Sequence, residues 1–328
     1  MALLLLMQCC VMSANAKKER LVVAYVISWS KEIPNPMLMT HINYAFGKVK
    51  GTFDGVRIDN EPRLREIVRL KTINPRLKVV LSIGGWGAGN FSEMAADPAL
   101  RWKFALDCRR VVDEFGLDGI DIDWEYPTQN SAKISSSPED TKNFTLLMRD
   151  IRKAIGRRSL LTAATVSTGE YIDFRSCLKY MDFVNVMAYD MSNPPYHHAS
   201  LFSSNISPEM TCEKAVRKHL EAGVPKDKLV MGMPFYARGH RNQAVRDYLN
   251  FGYNDGSIVE KWSEESQVPY LEDKAGKMLV GFENERSLRA KCQYVIDQDL
   301  LGGMYWEYSE DNAPADKATL LYKMLMKP

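Results

Sequence analysis

The sequence predicts an α/β protein, a (β/α)8 barrel of the TIM type. Eight apolar, β-branched runs of strand length recur along the chain, most of them near-continuously apolar, as strands covered on both faces are. Amphipathic helical patterns fall between several of them. The chain has 328 residues, 45% hydrophobic and 26% charged, ample for one barrel around one core.

In order, the runs are LVVAYVI (21–27), HINYAFG (41–47), LKVVLSIGG (77–85), LDGIDIDWE (117–125), LLTAATVS (160–167), MDFVNVMAY (181–189), LVMGMPFYA (229–237) and GGMYWEYS (302–309). Between them, Leu64, Ile67, Val68 and Lys71 mark one helical face. Phe104, Cys108, Val111, Val112 and Phe115 mark a second, and Phe144, Leu147, Met148, Ile151 and Ile155 a third. Pro138 stands where a helix can start, ahead of Glu139 and Asp140. PEMTCEKAVRKHLEAGVP reads as a helix stopped by Gly223 and Pro225, and a last helix is expected over about 314–326. Residues 238–282 read as the longest irregular region, a large loop with a small hairpin over the barrel mouth. A doubly wound open sheet is the rival. No G-x-G-x-x-G follows the first strand, and SIGGWGAGN lacks the Lys-Ser/Thr of a phosphate loop. Neither an internal repeat nor a linker marks a second domain.

The net charge of +2 and the lack of a basic run interleaved with aromatics argue against nucleic acid and an anionic membrane as partners. The first sixteen residues read as a signal peptide: an apolar stretch to about Met12, then Ala14-Asn15-Ala16 as a cleavage site. The stretch is too short to span a bilayer. One feature disagrees with a signal peptide: no Lys or Arg precedes the run. Leu6-Met7-Gln8 before Cys9 is a poor lipobox, so a secreted or periplasmic protein is expected ahead of a lipid-anchored one. The mature cysteines, Cys108, Cys177, Cys212 and Cys292, allow three pairings, but no tight spacing marks a staple and buried thiols are expected.

Residues 120–125, Ile-Asp-Ile-Asp-Trp-Glu, alternate at period two. Successive side chains of a strand point to opposite faces, so Asp121, Asp123 and Glu125 share one face, roughly 6–7 Å apart. With Ile120, Ile122 and Trp124 toward the helices, the acids climb from the barrel interior to the rim, where barrel active sites lie. Such a set should titrate as a coupled unit, with at least one pKa strongly raised. Three readings stay open on spacing alone: acid–base catalysis of glycoside hydrolysis, a hard-cation site that no neighbouring His or Asp/Asn loop completes, or a solvated acidic face. Asp118 has the opposite parity and is expected to hold the turn around Gly119.

The same residues carry a family resemblance. DGIDIDWE resembles the D-x-x-D-x-D-x-E signature of family-18 glycoside hydrolases, the chitinase family, with Asp118, Asp121, Asp123 and Glu125 in the four acidic positions. LSIGGW (81–86) resembles the family's S-x-G-G segment on strand three, and THINYAF (40–46) its second strand. MAYD (187–190), GMPFYAR (232–238) and GGMYWE (302–307) resemble strands six, seven and eight. The resemblance covers about 21–326, so 17–328 is expected to be one catalytic barrel domain. It implies a secreted, endo-acting chitinase that cuts β-1,4 N-acetylglucosamine linkages by substrate-assisted, retaining catalysis, without cofactor or metal and as a monomer.

The resemblance implies Glu125 as general acid and then base. Asp123 would orient the 2-acetamido group, Asp121 would share a proton with Asp123, and Tyr189 would donate to the acetamido oxygen. Asp190 and Met187 would line the same sugar, Trp306 would be its floor, and Tyr236 and Arg238 would hydrogen-bond it. Tyr25, Trp29, Phe46 and Trp86 are further cleft aromatics. Ser82, Gly84 and Gly85 are expected to be structural. Many chitinases carry an α+β insertion after strand seven; the interval from Arg238 to Phe282 reads as too short for it, implying a shallower cleft. Two alternatives accompany the chitinase reading: an endo-β-N-acetylglucosaminidase acting on N-glycan cores, and a glycan-binding lectin on an inactive barrel.

Overall fold

The computed structural model describes residues 19–207, 209–239, 244–245, 256–311 and 316–326. The expected signal peptide and its cleavage site lie outside the described residues. The barrel strands are β1 Leu21–Ile27, β2 His41–Val49, β3 Lys78–Gly84, β4 Gly119–Asp123, β5 Leu160–Val166, β6 Phe183–Met187, β7 Leu229–Pro234 and β8 Gly302–Trp306. Each pairs in parallel with its neighbour, and β1 pairs with both β2 and β8, so the sheet closes. A short strand, Val56–Ile58, extends β2 in antiparallel fashion.

The helices are α1 Glu61–Arg69, α2 Phe91–Ala96, α3 Pro98–Phe115, α4 Asp140–Ile155, α5 Phe174–Cys177, α6 Cys212–Glu221, α7 Glu285–Asp297 and α8 Lys317–Met326. Their starts follow local capping chemistry. Asn60 accepts from Arg63 N, Asp97 from Ala99 N and Leu100 N, and Thr211 from Lys214 N. The last of these starts α6 at Cys212, later than the PEM segment suggested. A capping box between Asn284 and Ser287 opens α7. The apolar faces read from the sequence are the buried ones: Phe104, Cys108, Val111, Val112 and Phe115 on α3, and Phe144, Leu147, Met148, Ile151 and Ile155 on α4. They pack on the outward side chains of the barrel, among them Ile120, Ile122 and Trp124.

Several boundaries differ from the sequence expectation. β4 ends at Asp123, so Glu125 lies beyond the strand, and β7 ends at Pro234. The segment expected to be mostly irregular instead holds a five-stranded antiparallel sheet, Ala237–Gly239, Ala244–Val245, Ile258–Ser263, Val268–Asp273 and Met278–Gly281. Its strands are short and interrupted by turn residues, which hides their periodicity in the sequence. No helix occurs among the described residues of this insertion before α7. Cys108, Cys177, Cys212 and Cys292 are buried free thiols.

Candidate active site

The interior of the barrel carries a polar layer where branched apolar side chains are usual. Parallel register sets Ser82 of β3 beside Asp121 of β4, and Asp121 beside Thr162 of β5. Four donors converge on the Asp121 carboxyl. The Tyr25 hydroxyl (2.9 Å) and Ser82 Oγ (2.8 Å) reach Oδ2, while Thr162 Oγ1 (2.6 Å) and Asn185 Nδ2 (3.3 Å) reach Oδ1. Burial pushes this carboxyl up, and the four hydrogen bonds pull it down. Both Asp121 oxygens thus accept hydrogen bonds, and the Asp121 charge acts through space on Asp123.

Asp123 sits one step higher. It is buried, and its Oδ1 has no hydrogen-bond partner among the described residues. Burial first, then the charges of Glu125 and Asp121, push it well above the carboxylate range. The backbone explains why β3 ends in glycine: a Cβ at Gly84 would stand 1.9 Å from Asp123 O, and Gly85 N donates to that same oxygen at 2.9 Å. Glu125 crowns the ladder. Burial raises it to about 7, with the Asp190 charge adding, against a hydrogen bond from Tyr126 and the charge of Lys48. Trp124, between the two acids, is turned away and stacks on Phe91 with ring centroids 5.2 Å apart. Period two therefore persists past the end of the strand.

Around the ladder lies an apolar floor. Trp306 stacks on Phe46 at 5.6 Å and meets Tyr25 at 5.5 Å. Met187, Tyr189 and Trp306 pack on the same interior cluster as Tyr25 and Phe46. Tyr25, expected at the cleft wall, is 1% exposed with its hydroxyl engaged by Asp121, so it supports the ladder from below and does not line the cleft. Among the described residues, the Tyr189 hydroxyl has one weak hydrogen-bond contact, Met304 Sδ at 3.8 Å. Non-proline cis peptides occur at Ala45–Phe46, Glu125–Tyr126 and Trp306–Glu307.

The opposite wall is polar. Asp190 follows β6 with φ of +55°, in the left-handed region that Asp tolerates better than most residues. Its Oδ1 accepts from Tyr236 (2.8 Å) and Arg238 Nε (2.7 Å), and its Oδ2 from Arg238 Nη2 (2.5 Å). Buried His198 brings Nδ1 to 3.4 Å from Oδ1. Burial pushes Asp190 up, but the hydrogen bonds and charges of Arg238 and His198 outweigh it and hold it well below the carboxylate range. The buried ion pair of Lys291 and Glu283, whose charges act on His198, ties α7 to the end of the inserted sheet, and Lys291 Nζ donates to Ala199 O at 2.5 Å.

At the rim, Trp86 is 62% exposed and meets Tyr126 edge-on at 6.3 Å; Tyr126 stacks on Tyr171 at 6.0 Å. Trp29 is also exposed. Asp118 lies at the other end of β4. It accepts from Val79 N (2.8 Å) and pairs with Lys71 (2.7 Å) and Lys78 (3.2 Å), so it ties neighbouring strands rather than the turn at Gly119 alone. Lys48, Tyr126, Thr162, Asn185 and His198 join the site without having been singled out. Asn185 and Lys48 left a trace, a polar side chain inside an apolar run. His198, in a loop, left none. Among the described residues, no group of three His, Cys, Asp or Glu is placed to hold a metal ion, and no helix is long and apolar enough to cross a membrane.

A closed parallel barrel with stacked carboxyls at its carboxyl end defines a barrel enzyme of the acid–base class. Residues 21–311 match the model of glycosyl hydrolases family 18. The chain belongs to that family. It is 30% identical over 297 residues to chitinase A1 of Niallia circulans, a match covering 76% of this chain and 42% of that protein. It is 29% identical over 345 residues to chitotriosidase-1 of Mus musculus, covering 88% of this chain and 73% of that protein. Among solved structures, a family-18 N-acetylglucosaminidase from Paenibacillus barengoltzii superposes with a TM-score of 0.85 at 34% identity, covering 93% of this chain and 99% of that one.

Proposed function

We propose that the protein is an exported, monomeric, endo-acting chitinase that hydrolyses β-1,4-linked N-acetylglucosamine oligomers by substrate-assisted, retaining catalysis. The observation that carries this reading is the acid ladder itself. Glu125, raised to about 7, keeps its proton near neutral pH and can pass it to a glycosidic oxygen. The 2-acetamido oxygen of the bound sugar then attacks its own anomeric carbon, so no enzyme nucleophile is required. Asp123, buried with an unpartnered oxygen, is suited to accept from the acetamido N–H as positive charge grows there. Tyr189, whose hydroxyl has only a thioether partner among the described residues, is suited to donate to the acetamido oxygen. Glu125, now ionised, draws a proton from water, which opens the ring from the face the leaving group left.

Trp306 over Phe46 offers an apolar surface for the C–H face of that sugar. Met187 packs alongside, while Asp190, Tyr236 and Arg238 supply hydrogen bonds opposite. Trp86 reaches outward for the next sugar. Export rests on the apolar run and Ala14-Asn15-Ala16.

One observation favours a second reading. The Paenibacillus barengoltzii neighbour, described as an N-acetylglucosaminidase, matches over nearly its whole length. Digestion of defined N-acetylglucosamine oligomers separates the readings. An endo-chitinase yields internal cuts and dimers or trimers. An N-acetylglucosaminidase releases monomer from the first time points. Cleavage of a high-mannose glycoprotein with no action on the oligomers would select the N-glycan reading, and binding without cleavage of either would select a lectin.

A further inference from the structure

Lys48, two residues beyond Phe46 and on the same parity of β2, is the cation whose charge acts on both Asp123 and Glu125. Its side chain is half-buried and held on two sides. Nζ donates to Gly84 O at 2.6 Å and lies 4.6 Å from the centroid of the Phe46 ring. Gly84 is itself pressed on the backbone of Asp123, so the ammonium is anchored to the peptide that abuts the ladder.

The ladder needs such a charge. Asp123 is buried with Oδ1 unpartnered, and Asp121 below and Glu125 above both repel its ionised form. Arg238 does not serve, because its guanidinium is spent on both oxygens of Asp190. We propose that Lys48 is a positioning residue for the acid ladder, supplying the positive charge that lets Asp123 ionise beside a protonated Glu125. This rests on the reading of Glu125 as the general acid.

Asp123 is faced by Asp121 on β4, Tyr25 of β1, Tyr126 and Tyr189. Lys48 meets Arg57 of the short strand beside β2 and Asp59 just past it, Asp123 at the end of β4 and Glu125 beyond it. Glu125 meets Tyr126 and Asp123 on its own segment, Tyr189 and Asp190 beyond β6, and Arg238 and His198 behind Asp190. Arg57 is occupied by Asp59 at 2.7 Å. With Lys48 neutral, nothing else in this set replaces its charge at Asp123.

The test is the pH profile of kcat/KM on a soluble chitooligosaccharide for two variants. Lys48→Met keeps the stem on Phe46 and removes the charge. Lys48→Gln also keeps a donor for Gly84 O, and carries the test if Lys48→Met does not fold. A cation favours the ionised carboxylate, so its loss raises both pKa values. Both limbs should move to higher pH by about one unit, the scale of one charge at close range in a protein interior. Below the acid limb the rate should fall about tenfold, and above the alkaline limb it should rise. Lys48→Arg should restore both limbs. Limbs of Lys48→Gln that coincide with the wild type, or a loss uniform across pH with a lowered Tm, would overturn the proposal. Glu125→Gln run in parallel keeps the failures apart: an active Glu125→Gln removes the acid assignment, whereas an inactive one with unmoved Lys48→Gln limbs removes only the role of Lys48.

Discussion

Arg238 holds Asp190 with two nitrogens of one guanidinium, Nε at 2.7 Å from Oδ1 and Nη2 at 2.5 Å from Oδ2. The pair joins the inserted sheet, which carries Arg238, to the loop after β6, which carries Asp190. A fork of this kind fixes orientation as well as charge, and lysine cannot reproduce it.

Arg238→Lys and Arg238→Met should therefore both reduce kcat/KM, the second more strongly. Loss of a charge-assisted hydrogen bond is worth about 1.5–3 kcal/mol, which corresponds to about ten- to a hundredfold in rate. Steady-state kinetics on a chitooligosaccharide checks this. Wild-type kinetics in Arg238→Met would show that the fork does not hold the cleft wall.

Glu125→Gln keeps the shape and removes the transferable proton. Turnover should drop by roughly 10²–10⁴ while oligosaccharide binding, read by calorimetry, survives. The same variant has a stability signature. Glu125 folds with its pKa raised to about 7, so the native state holds the proton more tightly than the unfolded chain. Stability from this group is present below the unfolded pKa and is lost as pH rises through 7. The Tm of Glu125→Gln relative to the wild type should thus climb between about pH 4.5 and 7, by an amount corresponding to on the order of 3 kcal/mol. A constant difference across that window would show that the carboxyl is not raised.

Asp123→Asn and Asp118→Asn should separate cleanly. Asp118 works at the amino end of β4, where Lys71, Lys78 and Val79 N hold it. Its replacement should cost about 1–3 kcal/mol of stability and leave turnover of the folded fraction nearly unchanged. Asp123→Asn should do the reverse. Equal loss of activity with unchanged melting in both would defeat the distinction.

Substrate assistance predicts the stereochemistry. Two inversions at one carbon leave the anomeric configuration unchanged, so the first product of a β-linked oligomer should be the β-anomer. A fully deacetylated oligomer should not be cut. The anomeric proton followed by NMR during digestion reads both points, and early α-anomer would exclude the mechanism.

Activity should also persist after EDTA treatment and dialysis, since the proposed chemistry routes protons and charge through side chains alone. Loss on chelation with recovery on added Mg²⁺ or Ca²⁺ would return Asp121, Asp123 and Glu125 to the hard-cation reading.

The eight strands and the inward parity of Asp121, Asp123 and Glu125 were legible in the chain because burial and side-chain alternation are local, one-dimensional signals. Asp118 could be set apart from the ladder by the same count. The inserted sheet was not legible: its strands are short, and pairing partners, not periodicity, define them. Nor was the place of Tyr25, since an aromatic in an apolar run looks the same whether it lines a cleft or lies under it.

Alternation along the chain shows which residues could meet: a run of acids on one face of a barrel segment, with apolar residues on the other. Which of them do meet is a matter of the fold. The donors to Asp121 come from four other strands, 39 to 96 residues away, and meet only because barrel closure and register bring those strands to one level. The protonation of the ladder is set the same way. Desolvation, the charge of Lys48 from β2 and the Asp190 wall from β6 act through space, and no spacing along the chain encodes a through-space field.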